Sequence, residues 1–407
     1  MNVPESFDVV VVGGGLAGAA TAIGVRRRGF SVLVVDKAEF PRDKPCGEGL
    51  LPHGVELLMA LGCGHVIDDA AAQPFRGILY HCHGVIARGD FEGGALGRGI
   101  RRRHLDAGVR AVAAAAGVRF EQASVQTVEL HGDGADVVCA DGRLFRGRVV
   151  VGADGPRSLM RHSLGLDGGP PRQPRYALRQ HFKLADGTAM PERVEVHVGG
   201  RHELYVTPVE AGVVGVAALV EKPLMASTAG KPEAKLATLL AACAPLRDRL
   251  DGAVAVGPGL ACGPLRVRSK AVHKGRVVLV GDAAGYVDAI TGEGMSLALK
   301  TAALATDAVT AILAGADVDS SFRRYARDRA AVFRDHALLT FGLVELARRP
   351  FFAKRVIARL AKDPALFTRL LAVNNGTRAL STFGVVNLLK LGLGATPPLP
   401  TVKALQA

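Results

Sequence analysis

The strongest constraint on this chain lies near its start, where Gly13-Gly14-Gly15-Leu16-Ala17-Gly18 follows the apolar run Phe7-Asp8-Val9-Val10-Val11-Val12. A second run, Val32-Leu33-Val34-Val35, ends in Asp36. Continuous valine before glycine reads as a parallel strand buried on both faces, and Ala19-Ala20-Thr21-Ala22-Ile23 as the start of a helix. Gly13 permits the tight turn, Gly15 lets the backbone approach a pyrophosphate, and Gly18 lets helix pack on strand. The helix N-terminus at Leu16 and Ala17 offers free N–H groups and the positive end of its dipole to phosphates. Asp36 stands where a carboxylate accepts the ribose hydroxyls, with Lys37 beside it. Strand, glycines, helix and acid together predict a dinucleotide site.

The 407 residues suggest two or three domains, and 49% hydrophobic content excludes disorder. Met1-Asn2-Val3-Pro4-Glu5-Ser6 has neither the basic nor the apolar region of an export signal. No uninterrupted apolar stretch reaches the ~18 residues that span a bilayer. Cysteines 46, 63, 82, 139, 243 and 262 form no CxxC pair, which suits a reduced, cytoplasmic chain and predicts no metal. The net charge of +13 is uneven: from Phe341 onward ten Lys/Arg face only Glu345 and Asp363. That tail carries Phe351, Phe352, Val356, Ile357, Leu360, Leu366, Phe367, Leu370 and Leu371 at helical spacing. A basic amphipathic segment suits peripheral contact with an anionic inner membrane face, a greasy substrate's entry path, or an ordinary cap with a solvated basic side. Nucleic acid is not expected, since no recognised motif accompanies the charge.

Further along, Arg148-Val149-Val150-Val151-Gly152-Ala153-Asp154 and Arg276-Val277-Val278-Leu279-Val280 read as two more buried strands ending in loops, and Gly294 to Ile312 as a long helix. Between them the texture changes to alternating strands with one helix over Lys235–Leu250. The fold class is therefore α/β: a Rossmann-like domain of the glutathione reductase type, an inserted antiparallel β-sheet substrate domain, and a helical C-terminal segment. The expected division is 1–75, 100–165 and 264–330 for the dinucleotide domain, 76–99 and 166–263 for the sheet domain, 331–395 for the helical segment, and 396–407 for a flexible tail.

Three motifs resemble one family, the flavoprotein monooxygenase (para-hydroxybenzoate hydroxylase-like) and geranylgeranyl reductase superfamily. They are the glycine loop with Asp36, the DG motif Ala153-Asp154-Gly155-Pro156, and the GD motif Gly281-Asp282-Ala283-Ala284. The resemblance implies FAD, with Asp282 on the ribityl chain and the Asp154-Gly155 loop near the pyrophosphate. Arg102, in Arg102-Arg103-His104-Leu105-Asp106, matches an arginine that approaches the cofactor, while Arg101 and Arg103 read as solvated. Gly292-Glu293-Gly294-Met295, heading a helix, matches the flavin-ring contact; Cys46, Gly47 and Val125 complete the expected cofactor set. With one complete GxGxxG, NAD(P)H is expected to dock only transiently.

The segment Phe40 to Pro52 shares features with reductases and halogenases alike. Tyr205-Val206-Thr207-Pro208-Val209 resembles a hydroxylase strand, whereas Thr291-Gly292-Glu293-Gly294 follows the reductases. The favoured expectation is an NAD(P)H-dependent monooxygenase that hydroxylates an apolar phenolic or polyketide-like substrate with dioxygen, through a C4a-hydroperoxyflavin. The alternative is a flavin-dependent C=C reductase of an isoprenoid lipid. Absence of tryptophan counts against a halogenase, and intact DG and GD motifs against a non-catalytic prenyl-binding protein. Cys46, His81 and Tyr205 are the candidate catalytic residues, with His83 and His181 as further candidate bases.

Overall fold

Val9, Val10 and Val11 are wholly buried because the strand Glu5–Val12 lies at the middle of a sheet covered on both faces. In the computed structural model, which describes residues 4–68, 71–171, 173–227, 230–384 and 387, this sheet has eight strands. Its main path runs His273–Lys274, Val277–Leu279, Leu144–Gly152, Glu5–Val12, Val32–Asp36, Arg119–Gln122. All pairs along it are parallel except the outermost, and the hairpin Val125–Leu130 with Ala135–Cys139 extends Leu144–Gly152 antiparallel. Val12 pairs with Val35 and with Gly152, and Gly152 with Leu279, so the carboxyl ends of four strands finish level. The helices Leu16–Arg26 and Gly294–Leu313 pack closely on one another; a Cβ at Gly24 would meet Thr306 Oγ1 at 2.7 Å. Gly294–Leu313 is long and apolar enough to cross a membrane, yet 67% of its most apolar window is buried in this core.

A second sheet of seven strands runs Val254–Cys262, Arg175–Lys183, Val213–Glu221, His202–Glu210, Val194–Val198, Gly77–Cys82, Val85–Asp90. It is mixed rather than antiparallel as expected, because Val194–Val198 pairs parallel with Gly77–Cys82. That hairpin arrives from an earlier stretch of chain, so no tight turn dictates its direction. A third sheet, Gly49–Leu50, Gly97–Gly99 and Gln73–Phe75, was not anticipated; strands of two or three residues carry no readable alternation. The helix expected over Lys235–Leu250 is two, Pro232–Ala241 and Ala244–Arg249, with Pro245 in the first turn of the second.

The boundary expected at residue 331 falls inside one helix of 30 residues, Val318–Ala347, capped by the Asp317 carboxylate on Ser320 N at 2.8 Å. No proline interrupts it, and the next helices, Pro350–Lys362 and Pro364–Asn374, each begin at one. Of the readings open for the C-terminal apolar stripe, a cap fits much of it, because those residues are core. Ala353, Ile357, Leu360, Leu366, Phe367 and Leu371 bury against Ile78, Cys82, Ala87 and Val196 of the second sheet. Phe367 is fully buried and stacks on Tyr80 with centroids 5.6 Å apart. Gly89 makes room, since a Cβ there would meet the Phe367 ring at 2.7 Å. Phe351 and Phe352 remain exposed. The tail expected over 396–407 lies outside the described residues. Phe367→Ala is expected to cost about 3–5 kcal/mol in urea unfolding; an unchanged midpoint would mean that the C-terminal helices are not part of this core.

Candidate active site

The level strand ends put three loops abreast at one cavity of about 1290 Å³, lined by Asp36, Asp154 and Asp282 together. Gly13, at φ +105°, lies so close to the neighbouring loop that a Cβ would meet Ala153 O at 2.4 Å. Gly15 caps the helix Leu16–Arg26 without a side-chain bond, leaving the first N–H groups facing the cavity. A Cβ at Gly15 would meet only Arg42 Nη2, at 3.2 Å. Asp36 holds the loop by accepting from Gly14 N at 2.6 Å and Ala38 N at 2.8 Å. Asp154 Oδ2 accepts from Met160 N at 3.1 Å, while its buried Oδ1 has no partner. Burial raises the pKa of this carboxyl. Asp282 faces Lys44 Nζ at 3.2 Å.

Leu16, Ala17, Lys37, Cys46, Gly47, Arg102, Val125, Gly155, Gly281, Gly292, Gly294, Met295 and Tyr205 line the same cavity. Gly18 and Ala283 do not. A Cβ at Gly18 would stand 1.9 Å from Gly13 O, so this glycine lets the helix close on the strand. Ala283 is fully buried and its carbonyl accepts from Arg161 Nη1 at 3.0 Å.

Arg102 stands at the cavity edge, but its guanidinium is turned into a two-pronged pair with Asp106, at 3.0 and 2.9 Å. Burial opposes its charge; Asp106 and Cys46 outweigh it and raise its pKa. Arg101, read as solvated, is buried and reaches Glu210 at 3.5 Å.

Two of the candidate catalytic residues need correction. Alternation along Gly77–Cys82 turns Tyr80 into the cavity and His81 to the opposite side of the sheet. Tyr205 does face the cavity, with its hydroxyl donating to Ile290 O at 3.3 Å. Burial and the nearby Glu203 push its pKa well above 10, so it holds a proton rather than removing one. Tyr80 is likewise pushed up, to about 12.

His181 is no free base either. Arg179 Nη1 donates to its Nδ1 at 2.9 Å, since an arginine can only donate, and Nε2 then donates to Glu48 Oε2 at 2.6 Å. Glu48 in turn accepts from Arg102 N at 2.9 Å. His83 sits in the turn after the strand at φ +47°.

Several residues escaped the sequence reading. Arg110 is sandwiched between Phe40 and Phe120, its carbon 4.2 and 4.0 Å from the ring centroids, with Nη1 at 2.6 Å from where a Gly14 Cβ would be. With Arg42 it puts two cations beside the glycine loop, of which Arg42 lines the cavity. The flavin-type loop is gripped from helices far away in sequence: His336 Nδ1 pairs with Glu293 at 2.7 Å, and Asn374 Nδ2 donates to Thr291 O at 3.0 Å. Arg175 bridges Glu203 and Asp288, at 3.0 Å from the latter, and ties that loop to the second sheet. No spacing rule connects such distant positions.

An unpartnered buried oxygen at Asp154, the cation at Arg42, and uncapped N–H groups at Leu16 suit an adenine dinucleotide with a polyhydroxylated linker. Residues 6–338 match the family described as FAD binding domain. The chain belongs to it. This FAD-dependent oxidoreductase is 32% identical to menaquinone reductase of Mycobacterium tuberculosis, over 75% of this chain and 77% of that one. It is 29% identical to digeranylgeranylglycerophospholipid reductase 1 of Methanopyrus kandleri, over 81% and 87%. In fold it resembles a flavoprotein/dehydrogenase from Cytophaga hutchinsonii, with TM-score 0.85 at 20% identity over 96% and 100% of the two chains.

Gly15→Val in this oxidoreductase projects a branched side chain toward the phosphate position. It is expected to weaken FAD binding at least ~10-fold with unchanged circular dichroism, read as flavin absorbance per chain. Glu203 gives a pH test. Burial, against the pull of Arg175, raises it from 4.5 to about 7. The folded chain thus binds that proton more tightly than the unfolded chain, so its stabilisation is full below the unfolded value and fades as pH rises through about 7. Glu203→Gln is expected to flatten the fall in thermal midpoint between pH 5 and pH 8; an equal fall in both proteins would assign the slope elsewhere.

Proposed function

We propose that this protein reduces a carbon–carbon double bond of a polyprenyl lipid. The observation that carries the reading is the state of the polar groups facing the substrate side of the cavity. Tyr80 and Tyr205 bring hydroxyl groups to it, and the candidate histidine bases are locked or turned away. A phenol hydroxylase needs a group that removes the substrate's proton. A double-bond reductase needs the reverse, a proton donor within an apolar wall.

The remaining wall is Phe75, Ile78, Leu178, Val194, Val196 and Leu219, which suits a long hydrocarbon chain and excludes water. Bound FAD supplies two electrons and a proton as hydride. The chain's residues do the rest: the Tyr205 hydroxyl turns from Ile290 O to give its proton to the second alkene carbon, and takes one back from solvent once the product leaves. The reductase names of the two relatives support this reading. NAD(P)H, docking transiently, is our proposed electron source. The exposed Phe351 and Phe352, flanked by Arg348 and Arg349, support a peripheral contact with an anionic membrane on the cytoplasmic side.

The Tyr205–Val209 strand keeps hydroxylation as the second reading, and one experiment separates the two. Dithionite-reduced enzyme is mixed without oxygen with menaquinone or geranylgeranyl diphosphate, and separately with phenols in air. The expected result is anaerobic flavin reoxidation by a polyprenyl compound whose product, after air reoxidation of any quinol, keeps two added hydrogens on its side chain. Oxygen-dependent gain of one oxygen atom by a phenol, with no anaerobic turnover, would overturn the proposal. In the reductase, Tyr205→Phe is expected to slow this step ~10²–10⁴-fold at unchanged flavin content.

A further inference from the structure

The face of the seven-stranded sheet turned away from the cavity holds a second cluster of chemistry. Alternation places His81, Glu195 and His197 there, and the parallel register sets His81 directly beside His197. Their rings stack with centroids 4.3 Å apart and planes 5° from parallel, so the half-buried His81 ring has to turn out of the stack before both ring planes meet at one ion. One ligand atom from each of the three residues lies within 4.8 Å of the others.

Glu195 and His197 are only 5% and 6% exposed, yet His197 Nε2 has no hydrogen-bond partner. The atom near it is Glu195 Oε2, at 3.7 Å. Arg249 holds the other carboxylate oxygen at 2.6 Å, and Cys243 Sγ stands 3.7 Å from His197 Nδ1. A cleft of about 470 Å³ opens onto the cluster. An unpartnered ring nitrogen aimed at a carboxylate inside a buried pocket is costly unless something sits between them.

We propose that His81, Glu195 and His197 bind one divalent first-row transition-metal ion of the zinc class. Two imidazoles and one carboxylate are borderline donors that suit zinc, whereas calcium and magnesium prefer all-oxygen sets. Metal–ligand bonds of about 2.0–2.2 Å put tetrahedral ligand atoms about 3.4 Å apart, close to the Glu195–His197 spacing.

Cys243 fixes the His197 ring from behind, as outer partners of metal-bound imidazoles do. The ion ties the hairpin Gly77–Asp90 to Val194–Val198, on the side of the sheet opposite the flavin cavity. Its role is therefore to stiffen the sheet that carries Tyr80, without taking part in the redox step.

The test uses FAD-loaded protein stripped with a chelator and titrated with ZnCl₂ by calorimetry, with metal counted by mass spectrometry. One zinc per chain and a raised thermal midpoint are expected, and Co²⁺ should give visible d–d bands beyond the flavin absorption. His81→Ala and His197→Gln are each expected to weaken zinc at least ~10-fold, while His83→Ala leaves it unchanged. His81 is half-buried, so His81→Ala carries the comparison even if His197→Gln loses flavin and fold. Absence of stoichiometric binding at micromolar zinc, or binding that survives His81→Ala at full strength, would overturn the site.

Discussion

Level parallel register is the constraint on which the rest depends. Glu5–Val12, Leu144–Gly152 and Val277–Leu279 share their hydrogen-bond ladders so that Val12, Gly152 and Leu279 end side by side. The loops that follow them must then meet, and Gly13 lies against Ala153 with no room for a side chain. Three segments separated by more than a hundred residues become one floor of the cavity. A slip of one residue in either pair would put the strand ends out of step and carry Asp154 or Asp282 away from the cavity.

The second sheet divides its labour by the same period of two. One face gives the cavity its wall of Ile78, Tyr80, Val194, Val196 and Tyr205; the other carries His81, Glu195 and His197. The C-terminal helices complete both the wall and the flavin loop. Phe367 backs Tyr80, Asn374 holds Thr291, and His336 holds Glu293. A segment that looks like an appendage in composition is thus part of the site.

Burial then selects the chemistry. Tyr205, Tyr80 and Glu203 are all shifted toward their protonated forms by loss of water, with Glu203 adding its own effect on both phenols. His181 is committed to Arg179 and Glu48, and Arg102 to Asp106. These pairings leave the Tyr80 and Tyr205 hydroxyls facing the apolar wall of the cavity.

What was legible in the chain is local. Val9 to Gly18, Asp36, Val149 to Gly155 and Val277 to Asp282 announce their strands and loops because a buried parallel strand needs an unbroken apolar run and a close phosphate needs glycine. Spacing also made Gly18 a packing glycine, and the family resemblance set Arg102 near the cavity. Direction and distance were not legible. Only the tertiary structure turned His81 away from the cavity, made the second sheet mixed, buried Arg101, and joined Asn374 and His336 to the flavin loop. Those outcomes depend on which strand or helix becomes a neighbour across space, and neighbours are chosen by packing of the whole chain, which no single segment encodes.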